Sequence, residues 1–542
     1  EGAMQPDSRS ARITAISVFA GVALVSLSTV AAAGDPAAPA MKCEALKGFT
    51  IPGSTMVIEK AEEVPEAPPG TVKVWPGRPN TVDVPLPANC RAEGVIDKRM
   101  GADGKEYAIG FAIALPDKWN GRFLFQGGAG LNGTLTPPIG TAITQATGDM
   151  PGLARGFAVV TTDSGHKGSV FDPSFMRDQE AAINFANASV GKVTNVAKVI
   201  VARHYGRAPE RSYFIGCSTG GREGMLAAER YPLQFDGVIA GSPAMNTGRS
   251  NLALAWGNYL FTHISPKGKD GKPDTSKAFS SSDRKLVSNA ILAACDAKDG
   301  LKDGMIFDPR RCKFDPSSLK CAGAKTDSCL SAKQASALTR AFAGPKNSRG
   351  EAPYVPYPWD SGVGAENVQI PGVLTTGWRG PVNPPFLDKI NVDAIEDRLN
   401  DDGQERLQMT AYWTNLNSFF ARGSKILFYH GVSDPWFSAW DTVRFYERMA
   451  KSSGGVEKVR ADSSRLFLVP GMGHCGSGMT LDHFDLLTAL VDWVEKGKAP
   501  DSVVATGPAF PGRSRPLCAY PQHAQYKGQG NPEDAANFVC RD

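Results

Sequence analysis

Short apolar runs rich in β-branched and aromatic residues recur along the chain, and stretches with helical spacing separate them. Arg122–Gln126 and Phe157–Thr162 read as strands, Ala181–His204 as a long helix, and Ser212–Gly216 as a third strand. Helical Arg222–Arg230 then leads to a strand at Gly237–Ala240. Much further on, Lys425–Tyr429 and Arg465–Val469 read as strands, each followed by helical sequence. Strand, helix, strand at these separations predicts an α/β fold with a mostly parallel sheet covered on both faces.

Between about residues 250 and 420 that rhythm breaks into Lys, Ser, Gly and Pro clusters, with four cysteines within 35 residues. We read residues 251–420 as an insertion at the C-terminal edge of the sheet, where a lid would sit. Residues 34–250 and 421–542 then supply the catalytic domain. Ahead of it, Arg9 and Arg12 precede an apolar run from Ile13 to Val30 that ends in Ala31-Ala32-Ala33. A basic flank, an apolar stretch and a small-residue exit predict a signal peptide over residues 4–33, with a membrane anchor as the alternative. No later stretch approaches about 18 uninterrupted apolar residues, so no membrane partner is expected once the signal is removed.

Composition narrows the class. With 59 Lys and Arg against 55 Asp and Glu, the net charge of +4 over 542 residues gives no footprint for nucleic acid. The ten cysteines are even in number, and behind a signal peptide they predict disulfides in a secreted or periplasmic protein. None forms a CxxC pair, which argues against zinc and thioredoxin-like chemistry.

Gly216-Cys217-Ser218-Thr219-Gly220 lies between a strand and a helix. Gly-x-Ser-x-Gly at such a turn is a nucleophile elbow, in which the strained serine needs small neighbours two positions away. Its hydroxyl projects over the N-terminus of the next helix, whose dipole favours developing negative charge. The bland reading is a glycine-rich turn that happens to hold a serine. An oxyanion needs donors too: the Thr219 N–H is one candidate. Gly127 or Gly128, after the Phe123–Phe125 strand, would supply the other, with an ordinary tight turn as the alternative.

Hydrolase chain order places Asp or Glu and then His after the serine. Asp434 follows the Lys425–Tyr429 strand and His474 follows Arg465–Val469, each in a loop at a strand's C-terminal end. His430, His483 and Asp441 are the competitors. Cys217 precedes the nucleophile and Cys475 follows the base. Bonded to each other they would tie Ser218 to His474, with a chain-entropy value of roughly 5 kcal/mol as an upper figure; two unrelated disulfides are the alternative. Asp296, Asp299 and Asp303 share one glycine-containing loop. Read alone, this loop suits a hard cation and a solvated turn equally.

The Cys-Ser-x-Gly-Gly motif, the later Asp and the final His-Cys resemble the tannase/feruloyl esterase family, which includes hydrolases of mono(hydroxyethyl) terephthalate. The resemblance runs from Cys43 to Cys540. It implies an α/β-hydrolase core and a Ser218, Asp434, His474 triad. It also implies the disulfides Cys43–Cys90, Cys217–Cys475, Cys295–Cys312, Cys321–Cys329 and Cys518–Cys540. By the same similarity Asp296, Asp299 and Asp303 supply side chains, and Leu301 and Met305 carbonyls, to a structural Ca²⁺. The implied substrate is a small ester of an aromatic acid, hydroxycinnamic or gallic. Terephthalate monoesters rank lower because the Cys329–Asp434 stretch is short for that subgroup. Trp378, Arg379 and Phe386 are candidates for an aromatic wall and a cation, with core packing and surface roles as the alternatives. Rival functions are a peptidase or acyltransferase on the same triad, and a catalytically silent, calcium-stabilised binding protein.

Overall fold

In the computed structural model the described residues are 36–75, 80–141, 146, 148, 150–365 and 386–542. The expected signal segment 4–33 and the candidates Trp378 and Arg379 lie outside them. Residues 35–542 group as one compact unit.

One nine-stranded sheet organises the chain: β1 (Val57–Val64), β2 (Asn89–Met100), β3 (Glu106–Pro116), β4 (Arg122–Gln126), β5 (Ala158–Thr162), β6 (Arg211–Cys217), β7 (Gly237–Gly241), β8 (Lys425–Gly431) and β9 (Ser464–Val469). Their spatial order is β1-β2-β3-β5-β4-β6-β7-β8-β9. The pairs from β5 across to β9 are parallel, and β1 to β3 continue the sheet antiparallel as far as β5. This is an α/β-hydrolase type of sheet. Its antiparallel edge was not among the elements read from the sequence, although the apolar run of β3 carried the signal.

Strands covered on both faces have no polar side, so β5 and β7 are buried at every position. Successive residues feed opposite cores. Phe125, Phe214 and Phe428 pack with Val193 and Ile200 of the helix Ser189–Tyr205 and with Phe445 and Tyr446 of Ala439–Ser452. Leu124, Tyr213, Ile215 and Leu427 face the other way, onto Leu487, Leu490 and Trp493 of Leu486–Lys496. Period-two side-chain alternation thus places one apolar layer on each side of the sheet.

The helical stretch expected over Ala181–His204 is interrupted. A short helix, Gln179–Ile183, passes through a wide π turn at Asn184–Ala188 before Ser189–Tyr205 begins. The guanidinium of buried Arg222, on the helix after Ser218, meets this turn and donates to the carbonyls of Ala186 (2.7 Å) and Phe185 (3.1 Å). Turns of this kind free carbonyls for such a donor.

Between β7 and β8 the chain leaves the sheet, and no strand is formed there among the described residues. Helices Thr247–Thr262, Ser281–Cys295 and Ala332–Ala343 instead enclose a separate apolar cluster around Leu260, Phe261, Ile291, Leu338 and Phe342. Five disulfides join Cys43–Cys90, Cys217–Cys475, Cys295–Cys312, Cys321–Cys329 and Cys518–Cys540, and no cysteine is free.

Candidate active site

Ser218 stands between β6 and the helix Thr219–Arg230, with φ 64° and ψ −122°. A left-handed φ is strained for a residue with a side chain, and the surroundings over-determine it. The Ser218 N–H donates to Gly241 O (3.0 Å) and its carbonyl accepts from Ala244 N (3.0 Å). A Cβ on Gly220 would lie 2.7 Å from Gly128 O, and one on Gly216 would run into the backbone of Gly220. Both glycines are therefore steric requirements of the turn. The helix begins three residues earlier than its sequence pattern indicated, directly after the serine, and the first-turn Thr219 N–H has no acceptor among the described residues.

The strand-end loop Gln126–Gly130 runs beside this turn. Thr219 Oγ1 donates to Gly130 O, and Gly220 N to Gly128 O (3.1 Å). The two glycines expected to donate to an oxyanion are already engaged. Gly127 N–H donates to Ile215 O (2.8 Å), and Gly128 N–H donates to Glu223 Oε2 (2.9 Å). Within this loop the amides for which no acceptor is found among the described residues are those of Ala129 and Gly130, one and two positions further on. The physical reason for Gly128 is buried Glu223, on the helix that follows Ser218, which takes the Gly128 N–H. Its other oxygen accepts from Asn132 Nδ2 (2.7 Å) and Ser164 Oγ (3.1 Å). Glu223 carried no signal in the sequence beyond a charge inside a helix.

The loops after β8 and β9 meet backbone to backbone. Val432 N donates to Val469 O (2.9 Å) and Ser433 N to Met472 O (2.9 Å). Asp434 Oδ2 lies 2.7 Å from His474 Nδ1, while Oδ1 accepts from Trp436 N (2.8 Å) and Phe437 N (3.1 Å). Burial alone would raise the Asp434 carboxyl. The His474 and His430 rings outweigh it and hold the group well below the usual carboxylate range. That bond places the His474 proton on Nδ1 and leaves Nε2 as the basic atom.

Of the competitors, His430 also meets Asp434, its Nε2 3.3 Å from Oδ2, while the other two sit elsewhere. His430 is buried beneath Asp434 and bonds Thr442 Oγ1 (2.8 Å) and Phe437 O (2.9 Å). His483 lies 3.8 Å from Asp482. Asp441 is hydrogen-bonded to Asn246.

The Cys217–Cys475 disulfide, with Cα atoms 6.1 Å apart, joins the residue before Ser218 to the residue after His474. Among the described residues Ser218 Oγ makes no hydrogen bond, and His474 Nε2 lies 3.8 Å from Cys475 Sγ. Catalytic contacts of this kind commonly tighten only when substrate is bound. Trp436 stacks on the imidazole (centroids 5.1 Å, planes 11° apart), and Phe171 meets Trp436 edge-on at 6.2 Å. Phe171 also borders Gly130 of the Gln126–Gly130 loop. Neither aromatic was singled out from the sequence. Phe386, which was, packs under Lys272 Nζ at 5.8 Å.

In the aspartate loop, Asp296 accepts from Asp303 N (3.1 Å) and Gly304 N (2.9 Å). Asp299 accepts from Leu301 N (3.3 Å) and Phe307 N (2.7 Å), and Asp303 pairs with Arg515 (2.5 Å). Among the described residues no three acidic, His or Cys side chains converge as a ready-made metal cluster. The donor chemistry nevertheless suits a cation. Burial, with Asp303 and Asp296 adding to it, pushes the Asp299 carboxyl up to about 7. The Leu301 and Met305 carbonyls accept no hydrogen bond among the described residues.

A parallel sheet with a strained serine at its elbow and a His–Asp pair on the next two strand ends defines the chain as an α/β-hydrolase type. The sequence pattern of the family "Tannase and feruloyl esterase" matches residues 90–382 and 386–541, and the chain belongs to that family of carboxylic ester hydrolases. It is 37% identical to the mono(2-hydroxyethyl) terephthalate hydrolase of Piscinibacter sakaiensis, over 93% of this chain and 92% of that protein. It is 30% identical to feruloyl esterase B of Aspergillus niger, over 79% and 82%. The crystal structure of an esterase from Aspergillus oryzae superposes with a TM-score of 0.73 at 26% identity, covering 92% of this chain and all (100%) of the other.

Proposed function

We propose that this chain hydrolyses esters of aromatic carboxylic acids through an acyl-serine intermediate, with Ser218 as nucleophile, His474 as base and Asp434 as its orienting acid. The observation that carries the reading is the left-handed Ser218 tied by Cys217–Cys475 to a histidine whose Nδ1 is held 2.7 Å from Asp434.

Ser218 Oγ attacks the ester carbonyl as its proton passes to His474 Nε2, and Asp434 stabilises the imidazolium. The developing oxyanion receives the Thr219 N–H and an amide of the Ala129–Gly130 pair. Collapse breaks the C–O bond, and the alcohol leaves with the proton from His474. Water then attacks the acyl-serine, His474 takes its proton, and the free acid departs as Ser218 recovers its hydrogen. Phe171 and Trp436 offer the acyl ring two aromatic faces beside the reacting carbon.

Hydroxycinnamic and gallic esters are the leading substrates. A terephthalate monoester is the second reading, favoured by the 37% identity to a hydrolase of that ester. Its free carboxylate needs a cation, for which Arg379 is the sequence candidate. The insertion acts as the lid, and Asp296, Asp299 and Asp303 with the Leu301 and Met305 carbonyls hold a structural Ca²⁺ that cross-links its loop. Residues 4–33 direct export, consistent with five disulfides and with no described helix long and apolar enough to cross a membrane.

Rates on methyl ferulate, methyl gallate and mono(2-hydroxyethyl) terephthalate, with Ser218→Ala as control, test the assignment. A preference for one acid that vanishes in the variant is the expected result. Turnover that survives Ser218→Ala would remove the nucleophile. No turnover together with no labelling of Ser218 by a phosphonate would favour a silent binding protein.

A further inference from the structure

We infer that Asp360, on the inserted segment Tyr354–Gly362, is a positioning residue that clamps the acid loop to the base loop and sets the Asp434–His474 geometry. The inference rests on the triad reading above.

One oxygen of Asp360 does both jobs. Oδ2 accepts from Ser433 Oγ at 2.6 Å and from Gly471 N at 2.7 Å. Ser433 is the residue before Asp434, and Gly471 lies three residues before His474. Bonds of this length to a carboxylate are the strong ones, and Asp360 is buried.

Asp360 is the centre of a longer brace. Ser433 Oγ also accepts from Gly362 N (3.0 Å). Ser438 N donates to Tyr354 Oη (3.0 Å), Ser438 Oγ donates to Pro356 O (2.6 Å), and Tyr357 Oη donates to Trp436 O (3.4 Å). The acid loop 433–438 is therefore gripped along its length by one stretch of the insertion. Asp434 cannot shift relative to His474 without breaking the Asp360 bonds. A change in how the insertion sits is thus transmitted to the acid–base pair through Asp360.

A merely structural aspartate would cost stability and leave the chemistry of each folded molecule intact. The test therefore counts active sites. Wild type, Asp360→Asn and Ser433→Ala are titrated with a phosphonate that labels Ser218, and kcat per titrated site, KM and the melting temperature are measured. Small misplacements of catalytic groups cost up to about a hundredfold. We expect kcat per site to fall about ten- to a hundredfold in each variant, with KM within about twofold. The double variant should fall by less than the product of the two single losses, because both variants weaken the Ser433–Asp360 bond. Wild-type kcat per titrated site in both variants, whatever their melting temperatures, would overturn the inference alone. A wild-type protein that hydrolyses its ester without phosphonate reacting at Ser218 would overturn the triad reading, and this inference with it.

Discussion

The nucleophile side and the acid–base side of the site are built in opposite ways. Ser218 takes its conformation mainly from its own strand–turn–helix, β6, Gly216, Gly220 and the helix that starts at Thr219, with Gly241 and Ala244 of the neighbouring strand end bonding its backbone. Asp434 and His474 sit on loops that owe their positions to distant chain, the Tyr354–Gly362 brace and a disulfide spanning 258 residues. A local device tolerates change elsewhere, whereas a long-range one does not. Substitutions in the insertion should therefore alter the acid–base pair before they alter the nucleophile.

The sharpest way to break this contrast is to disturb the nucleophile side through a residue that touches no reacting atom. Glu223 binds Gly128 N, Asn132 and Ser164 at once and so shapes the loop presenting the Ala129 and Gly130 amides. In Glu223→Gln an amide NH₂ must face one of those donors. Losing one oxyanion donor typically costs about 2.7–4 kcal/mol, or a hundred- to a thousandfold in kcat. We expect a kcat loss towards the lower end with KM little changed. An unchanged kcat would mean that the oxyanion loop holds its shape without Glu223.

This contrast also governs what could be read from the sequence. The elbow was legible because its constraints fall within five residues, and Asp434 and His474 because each follows an apolar strand. The Gly127 and Gly128 amides expected to face an oxyanion are instead bonded within the protein. Nothing in Gly127-Gly128-Ala129-Gly130 says that a glutamate about a hundred residues later occupies one amide. Asp360 was invisible for the same reason, since its partners lie 73 and 111 residues away. Phe171 and Trp436 meet only in three dimensions. The pairing of the cysteines came through family resemblance and not from their spacing.

Two buried aspartates give a finer test. Asp434, facing two imidazoles, is held low, so its stabilising contribution is present above the ordinary carboxylate pKa and is lost as pH falls through its folded value. Asp163, at the end of β5, accepts from Gly110 N (2.8 Å) and Gly165 N (2.9 Å), and burial carries its carboxyl up to about 6. Its sign is reversed: ionising it in the folded state costs stability as pH rises from about 4 through about 6. Two pKa units correspond to at most about 3 kcal/mol. Asp163→Asn keeps the oxygen acceptor and removes the titration. Denaturant midpoints at pH 4 and pH 7 should show the variant gaining on the wild type by up to that amount. A constant difference would mean that the backbone donors hold Asp163 ionised in both states.

The smallest expected effect separates the aspartate loop from both halves of the site. Three carboxylates there already have partners in backbone N–H groups and Arg515, so a bound calcium adds to an ordered loop and does not create it. A ligand at a hundred times its dissociation constant stabilises by about 2.7 kcal/mol. In a chain of this size that amounts to a few degrees in melting temperature. Adding calcium to chelator-treated protein should give that rise, and Asp299→Asn should abolish it. Turnover per titrated site well below the melting temperature should be the same with and without chelator, because Asp296, Asp299 and Asp303 contact neither the acid loop nor the base loop. A chelator that lowered turnover without lowering the melting temperature would place the cation in the chemistry, and the aspartate loop would then have to be counted with the long-range supports of the acid–base side.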